Sequence, residues 1–321
     1  MHRINKWEVC LLIALVASVA FVYMGYRNPD IVQSTKQKRF GATYMTMNNP
    51  FYVIINNQIK QEVESKGDIL ITRDPGLDVK KQNQQIYELI DQKVDAIFIN
   101  PIDYTKIEPA LKAAKKAKIP IIVIDAPVHS TSLVTTTVVS DNYGAGVACA
   151  KDMMQRKKSA NIILLEHSSA KSARDRIDCF LDTIRGNAAY RILYRQQCEG
   201  QLERTMPIME HILQINKDPI DVIMALNDPS ALGALAALEE QGKDLDVLQY
   251  SVDGSPEVKT LIKNQPGQMV TAGQSPITMG DIAIQKGYEI LSHKPVEKKI
   301  LVPVTLIKKE NIDNFDTSRW Q

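Results

Sequence analysis

Residues 96–127, AIFINPIDYTKIEPALKAAKKAKIPIIVIDAP, decide the fold. Ala96–Ile99 and Ile121–Ile124 are short runs of apolar residues, the composition of strands buried on both faces of a parallel sheet. Between them Leu111 and Ala114 mark a helix that ends before Pro120. A strand, a helix and a second strand in this order make a right-handed crossover. Each strand also ends on a polar residue followed closely by proline, at Asn100-Pro101 and at Asp125-Ala126-Pro127.

The same unit repeats outward along the chain. Further apolar runs occur at Phe40–Tyr44, Ile69–Thr72, Thr136–Val139, Ile162–Leu165, Val222–Leu226 and Val247–Tyr250. Ile55, Ile59 and Val63 recur every fourth residue before Gly67, and Ile86, Leu89 and Ile90 mark another helix. The Ser140-Asp141-Asn142 stretch separates a first α/β set from a second that begins near Asn161. Doubly wound sheets are the expectation for such alternation.

Composition bounds what this fold can serve. The chain has 321 residues, 44% hydrophobic and 24% charged, enough for about two domains. Balanced charge with ordinary apolar content argues against disorder. Lys and Arg total 39 against 37 Asp and Glu, a net charge of +2 without the basic excess of a nucleic-acid binder. Aromatics make up only 6% of the chain, so each one near a site counts. Four cysteines do not form a disulfide framework in a chain this long. Cys149 and Cys179 fall in helix-like stretches as small apolar residues, and a Cys179–Cys198 bridge is left open.

Near the N-terminus, residues 9–26 carry no charge, whereas His2, Arg3 and Lys6 precede them. As a helix they would span roughly 27 Å, close to a bilayer's hydrocarbon core. The preceding basic residues keep the N-terminus in the cytoplasm and put the body outside. A signal peptide cut after Ser18-Val19-Ala20 is one reading. An uncleaved anchor is the other, favoured because apolar residues continue through Met24. Residues 27–38 then read as a polar tether.

Ligands bind doubly wound sheets outside the carboxyl ends of their strands. There this sequence places Asn48-Asn49-Pro50-Phe51-Tyr52, Asn100, Asp125, Asn227-Asp228, Asp253-Gly254 and Gln274. Helix capping accounts for one Asn and for Pro50. It does not account for two adjacent aromatics. Taken singly, each polar residue is ordinary turn chemistry. Together they present donors, acceptors and flat apolar faces, a set that suits a small polyhydroxylated ligand.

Enzyme and cofactor motifs fail. Cys149 stands where the third glycine of a nucleotide loop starting at Gly144-Ala145-Gly146 would be, and P-loop and zinc spacings are missing. No nucleophile turn occurs. His167 follows a strand and stays a possible ligand contact. Asp125 and Asp253 as an acid–base pair lack any nucleophile or metal to serve. Neither catalytic residues nor a metal or other cofactor are expected.

From about Arg39 to Lys308 the chain resembles the periplasmic sugar-binding proteins of the ribose-binding type. The resemblance rests on Asn48-Asn49-Pro50-Phe51-Tyr52, Ile99-Asn100-Pro101, Ser140-Asp141-Asn142 and Ser172-Ala173-Arg174-Asp175-Arg176. Asn227-Asp228, the run Ala231-Leu232-Gly233-Ala234-Leu235, Val252-Asp253-Gly254 and Gln274 complete it in order. It implies an α/β fold of two doubly wound parallel-sheet lobes joined by a three-strand hinge, preceded here by the N-terminal membrane segment. The implied lobes are 39–140 plus 275–303 and 141–274 plus 304–321, after a signal segment 1–26 and tether 27–38.

The implied ligand set is Asn49, Phe51, Tyr52, Asn100 and Asp125 from the first lobe, and Arg174, Asn227, Asp253 and Gln274 from the second lobe and hinge. Hinge closure would bury these contacts. Three positions depart from the ribose binders: Ala126 replaces an arginine, and Gly200 and Val252 replace stacking aromatics. The sugar would then be stacked chiefly from one side, by Phe51 and Tyr52, and ribose gives way to another small neutral sugar or polyol. The implied partner is the membrane permease of a sugar ABC transporter; a sensor kinase read by an anchored receptor is the alternative. Nucleic acid is not an expected partner.

Overall fold

Among the described residues, twelve strands sort into two six-stranded sheets, and the chain passes between them three times. The computed structural model describes residues 7, 13–19, 37–243, 247–265 and 267–321. It divides into a unit up to Gln37 and a body from Lys38 to Gln321.

The first sheet is built from β1 (Arg39–Thr43), β2 (Ile69–Arg73), β3 (Ala96–Ile99), β4 (Ile121–Ile124), β5 (Thr136–Ser140) and β11 (Lys299–Val302), in the order β11-β5-β4-β3-β1-β2. Every pairing in it is parallel. Helices α1 (Pro50–Ser65), α2 (Val79–Asp91), α3 (Glu108–Lys116) and α9 (Pro276–Leu291) accompany it. All residues of β3 and β4 are buried, which is why those runs carry no polar residue.

The second sheet contains β6 (Ala160–Glu166), β7 (Tyr190–Gln197), β8 (Val222–Ala225), β9 (Leu248–Asp253), β10 (Met269–Gly273) and β12 (Thr305–Ile307), in the order β12-β10-β9-β8-β6-β7. It repeats the first sheet's winding except at its edge, where β12 runs antiparallel to β10. Its helices are α4 (Asn142–Arg156), α5 (Lys171–Ile184), α6 (Leu202–Ile215), α7 (Asp228–Glu240) and α8 (Pro256–Asn264). Crossings fall between β5 and α4, between β10 and α9, and between β11 and β12.

The cysteine pattern also resolves. Cys149, Cys179 and Cys198 are all free and buried, so the Cys179–Cys198 bridge does not form. Gly146, the middle of the failed nucleotide loop, lets α4 and α5 touch. A Cβ there would overlap the carbonyl oxygen of Arg176.

One expectation is corrected. Among the described residues no helix is long and apolar enough to cross a membrane. Of the expected span 9–26, residues 13–19 are helical and the rest lies outside the described residues. Among the described residues the fold is therefore two α/β lobes, with no helix long and apolar enough to precede them as a membrane span.

Candidate functional site

Both sheets aim their strand ends at a narrow cleft between the lobes, nearly closed, with a free volume of about 30 Å³. Local rules place the helices that open onto it. Asn49 caps α1, its side chain accepting from the Phe51 amide at 3.0 Å, with Pro50 in the first turn. Asn227 caps α7 in the same way, accepting from the Ser230 amide at 3.1 Å and from its hydroxyl at 2.7 Å. Its amide nitrogen donates to the Gly200 carbonyl at 3.0 Å. Gly200 lies at φ +71°, and a Cβ there would stand 2.9 Å from that nitrogen.

Seven of the nine expected residues line the cleft: Asn49, Phe51, Tyr52, Asp125, Asn227, Asp253 and Gln274. Asn100 stands behind the wall. It is fully buried, accepts from the Met45 amide at 3.2 Å, and donates to Asp125 Oδ2 at 3.2 Å and to the Ile124 carbonyl at 3.1 Å. Its work is to orient Asp125.

Arg174 stands elsewhere. Its guanidinium donates to the Tyr104 hydroxyl at 2.9 Å and pairs with Asp178 at 3.3 Å, half exposed and away from the cleft walls. Arg176 takes the cleft position, with 4% of its side chain exposed. Its three nitrogens donate to Asn142 Oδ1 at 2.7 Å, the Leu226 carbonyl at 2.9 Å and Gln274 Oε1 at 3.1 Å. It also stands 3.8 Å from Asp125 and 3.9 Å from Asp253, one in each lobe. Two residues along a helix turn a side chain by about 200°, so only one of the two arginines can face inward.

The sequence offered a signal for this choice. Ala173, Arg176, Ile177, Phe180 and Ile184 share the buried stripe of α5, spaced three and four residues apart. An arginine inside an apolar stripe is one that the interior must satisfy. His167, Gln201 and Glu199 also line the cleft, and burial pushes the His167 imidazole below its usual range.

The two carboxylates share a strained setting. Asp125 has φ +66° and Asp253 φ +145°, conformations that cost a non-glycine residue of order 1–3 kcal/mol. Burial raises both above the usual carboxylate range, and the negative charge of Asp228 raises Asp253 further, against the lowering effect of Arg176. Asp228 is held behind Asp253 by the Ser251 and Thr271 hydroxyls and the Ser255 amide. Among the described residues Asp125 Oδ1 accepts no hydrogen bond although it is buried. Burial also keeps the Tyr52 phenol protonated, raised well above its ordinary value, so it is a donor here.

On the aromatic side, Phe51 and Tyr52 meet edge to face at 5.7 Å, and Tyr44 stacks behind Tyr52 at 6.2 Å. Val252 is fully buried and no part of the wall. Ala126 is likewise buried outside it.

A ring of amides and carboxylates around one guanidinium, beside two aromatic faces, is a binding chemistry. The family model described as "Periplasmic binding protein domain" matches residues 40–295. This chain belongs to that periplasmic binding protein family. The ribose import binding protein RbsB of Bacillus subtilis is 31% identical over 283 residues, 88% of this chain and 90% of that protein.

Among solved structures, an ABC transporter solute binding protein from Mycobacterium smegmatis with bound glycerol has a TM-score of 0.83. It is 27% identical and the match covers 89% of this chain and 99% of that one. The binding protein of the arabinose ABC transporter from Shewanella sp. ANA-3, bound to L-arabinofuranose, scores 0.80. It is 26% identical, with 86% and 94% covered. As a periplasmic binding protein, this chain is a solute receptor and not an enzyme, and its two-lobed body is extracytoplasmic.

Proposed function

We propose that the body captures a small neutral sugar or polyol between its lobes as the substrate-binding protein of an ABC importer, and delivers it to a membrane permease. One observation carries this reading: Arg176 bridges a strand-end carboxylate of each lobe, so the ligand site is complete only where both lobes meet. Ligand hydroxyls would donate to Asp125 and Asp253 and accept from Arg176 and the amides of Asn49 and Gln274. C–H faces would lie on Phe51 and Tyr52. Charge-assisted bonds of this type are short and strong.

The named ligands of the relatives, ribose, glycerol and arabinofuranose, support the polyol class. Gly200 stands in the wall where ribose binders carry a stacking aromatic, which favours a different sugar. A net charge of +2 supports a neutral ligand over nucleic acid. The lobes we assign are 39–140 plus 275–303 and 141–274 plus 304–321. The tethered-sensor alternative rests on the expected anchor, which no helix among the described residues is long and apolar enough to form.

Calorimetric titration of the full chain with a panel of aldoses, ketoses and polyols tests this. At least one is expected to bind, and Asp125→Ala and Asn227→Ala are expected to weaken that binding. If no member binds, the assignment of the cleft to a sugar is wrong.

A further inference from the structure

The segment Asp316–Gln321 docks against the site from outside its wall. Lys259, 1% exposed, fastens it: its ammonium donates to the Asp316 carbonyl at 2.7 Å, the Arg319 carbonyl at 2.6 Å and Gln321 Oε1 at 3.0 Å. Three acceptors on one buried ammonium leave this lysine no proton free for solvent. So fastened, the segment delivers two side chains to the machinery of the cleft.

Gln321 Nε2 donates to the Asp253 carbonyl at 2.9 Å and to the Gln274 carbonyl. These are the strand ends that carry the second lobe's carboxylate and its amide partner. Room for this amide is made by two glycines. A Cβ on Gly254 would stand 2.6 Å from Gln321 Nε2, and one on Gly273 would stand 3.2 Å from it. Trp320 meanwhile reaches the first lobe and packs edge to face on Phe51, with ring centroids 5.7 Å apart. Phe51 is a wall of the cleft, so an indole supplied beside the second lobe fixes an aromatic face supplied by the first.

We propose that Trp320 and Gln321 are positioning residues for ligand binding: Trp320 holds the Phe51 ring across the lobe boundary, and Gln321 locks the Asp253 and Gln274 strand ends. Neither need touch the ligand. The proposal rests on the sugar-binding reading for its affinity arm and on the structure alone for its exchange arm. Opening the lobes would separate Trp320 from Phe51, so the contact adds to the closed state and slows ligand escape. A buried aromatic pair of this geometry corresponds to about a three- to tenfold change in affinity.

The test uses the full chain. Trp320→Ala should weaken the calorimetric Kd for whichever panel sugar binds by about three- to tenfold. The change should appear in the dissociation rate, with association little altered, and Trp320→Phe should restore most of it. Gln321→Ala should raise amide exchange across Val252–Ser255 and Gly273–Ser275 in the ligand-free chain. A lowered melting temperature with unchanged dissociation rate and unchanged exchange would overturn the proposal, leaving the segment a general brace. If no panel sugar binds, the sugar reading fails and the exchange measurement alone decides the Gln321 half. Unchanged exchange then overturns it, and raised exchange upholds it.

Discussion

Asp125 and Asp253 stand at matching places in the two lobes, the first just past the end of β4 and the second at the end of β9. Both are buried, both have positive φ, and both lie just under 4 Å from the Arg176 guanidinium. They differ in what their own lobe does for them. Asp253 accepts from Gln274 Nε2 at 2.8 Å through one oxygen and from the Asp228 amide at 3.4 Å through the other. Asp125 uses only Oδ2, for Asn100 and for the Tyr52 hydroxyl at 3.5 Å. Its Oδ1 is left over. The first lobe thus presents an unspent acceptor and the second a framework already closed on itself, a division of labour that the shared strand-end position conceals.

Removing the shared guanidinium breaks the comparison most completely. Arg176→Met would leave two buried carboxylates facing each other without a cation, and removing one partner of a buried pair costs about 3–5 kcal/mol. We expect a stability loss of that order in urea melts and no calorimetric binding of any panel sugar. Arg176→Lys keeps the charge but cannot reach Asn142, Leu226 and Gln274 at once, so binding should stay severely weakened while part of the stability returns. A fully stable Arg176→Met protein would show that the guanidinium holds nothing together.

The comparison sharpens when the two carboxylates are neutralised singly. A hydrogen bond to a charged group is worth about 1.5–3 kcal/mol, roughly ten- to 150-fold in Kd. Asp125→Asn should lose affinity on this scale with a smaller drop in urea midpoint than Asp253→Asn, because Oδ1 gives up only its 3.8 Å ionic contact with Arg176 and no hydrogen bond. Asp253→Asn should lose affinity and stability together, since its new amide would turn donors toward Gln274 or the Asp228 amide. Equal stability losses in the two variants would erase the distinction between acceptor and framework.

How much of this was readable in advance follows the same line. The sheets were legible because β3, β4 and β8 are buried along their whole length, so the apolar runs report them directly. The strand-end residues were legible as a set because the topology of α/β sheets gathers them whatever their spacing. Asn100 looked like a wall residue because it ends a strand, but the next strand projects Asp125 in front of it. The edge strand β12 was not marked out as antiparallel, since Thr305–Ile307 is too short to announce a direction. Trp320 lay hidden because its contact with Phe51 spans nearly the whole sequence, and no local pattern encodes such a pairing.

A smaller effect is expected from pH. Both aspartates are raised above the usual carboxylate range by burial, Asp253 the more strongly because Asp228 lies beside it. The folded chain therefore holds these protons more tightly than the unfolded chain does. Their contribution to stability is complete below the unfolded carboxylate value, near 3.9, and declines as pH rises through the raised folded values. Hydroxyl donors of a ligand favour the ionised forms, so binding should release protons and weaken severalfold as pH falls through the same window. Titrations in two buffers of different ionisation heat check this; no buffer dependence would mean that the carboxylates are already ionised before the ligand arrives.

The smallest effect belongs to the other arginine of α5. Arg174 reaches from the second lobe to the Tyr104 hydroxyl and pairs with Asp178, but 48% of its side chain is exposed. Solvent screens such a pair to about 0–1 kcal/mol, so Arg174→Ala should change sugar affinity by less than about fivefold. What loss there is should come from the rim, because Tyr104 also donates its amide to the Ser169 carbonyl at 3.1 Å and that bond survives the substitution. The helix itself makes the two arginines a controlled pair: same residue, same turn, opposite faces. If Arg174→Ala abolished binding as Arg176→Met is expected to, the inward face of α5 would have to be reassigned, and with it the cation that joins Asp125 to Asp253.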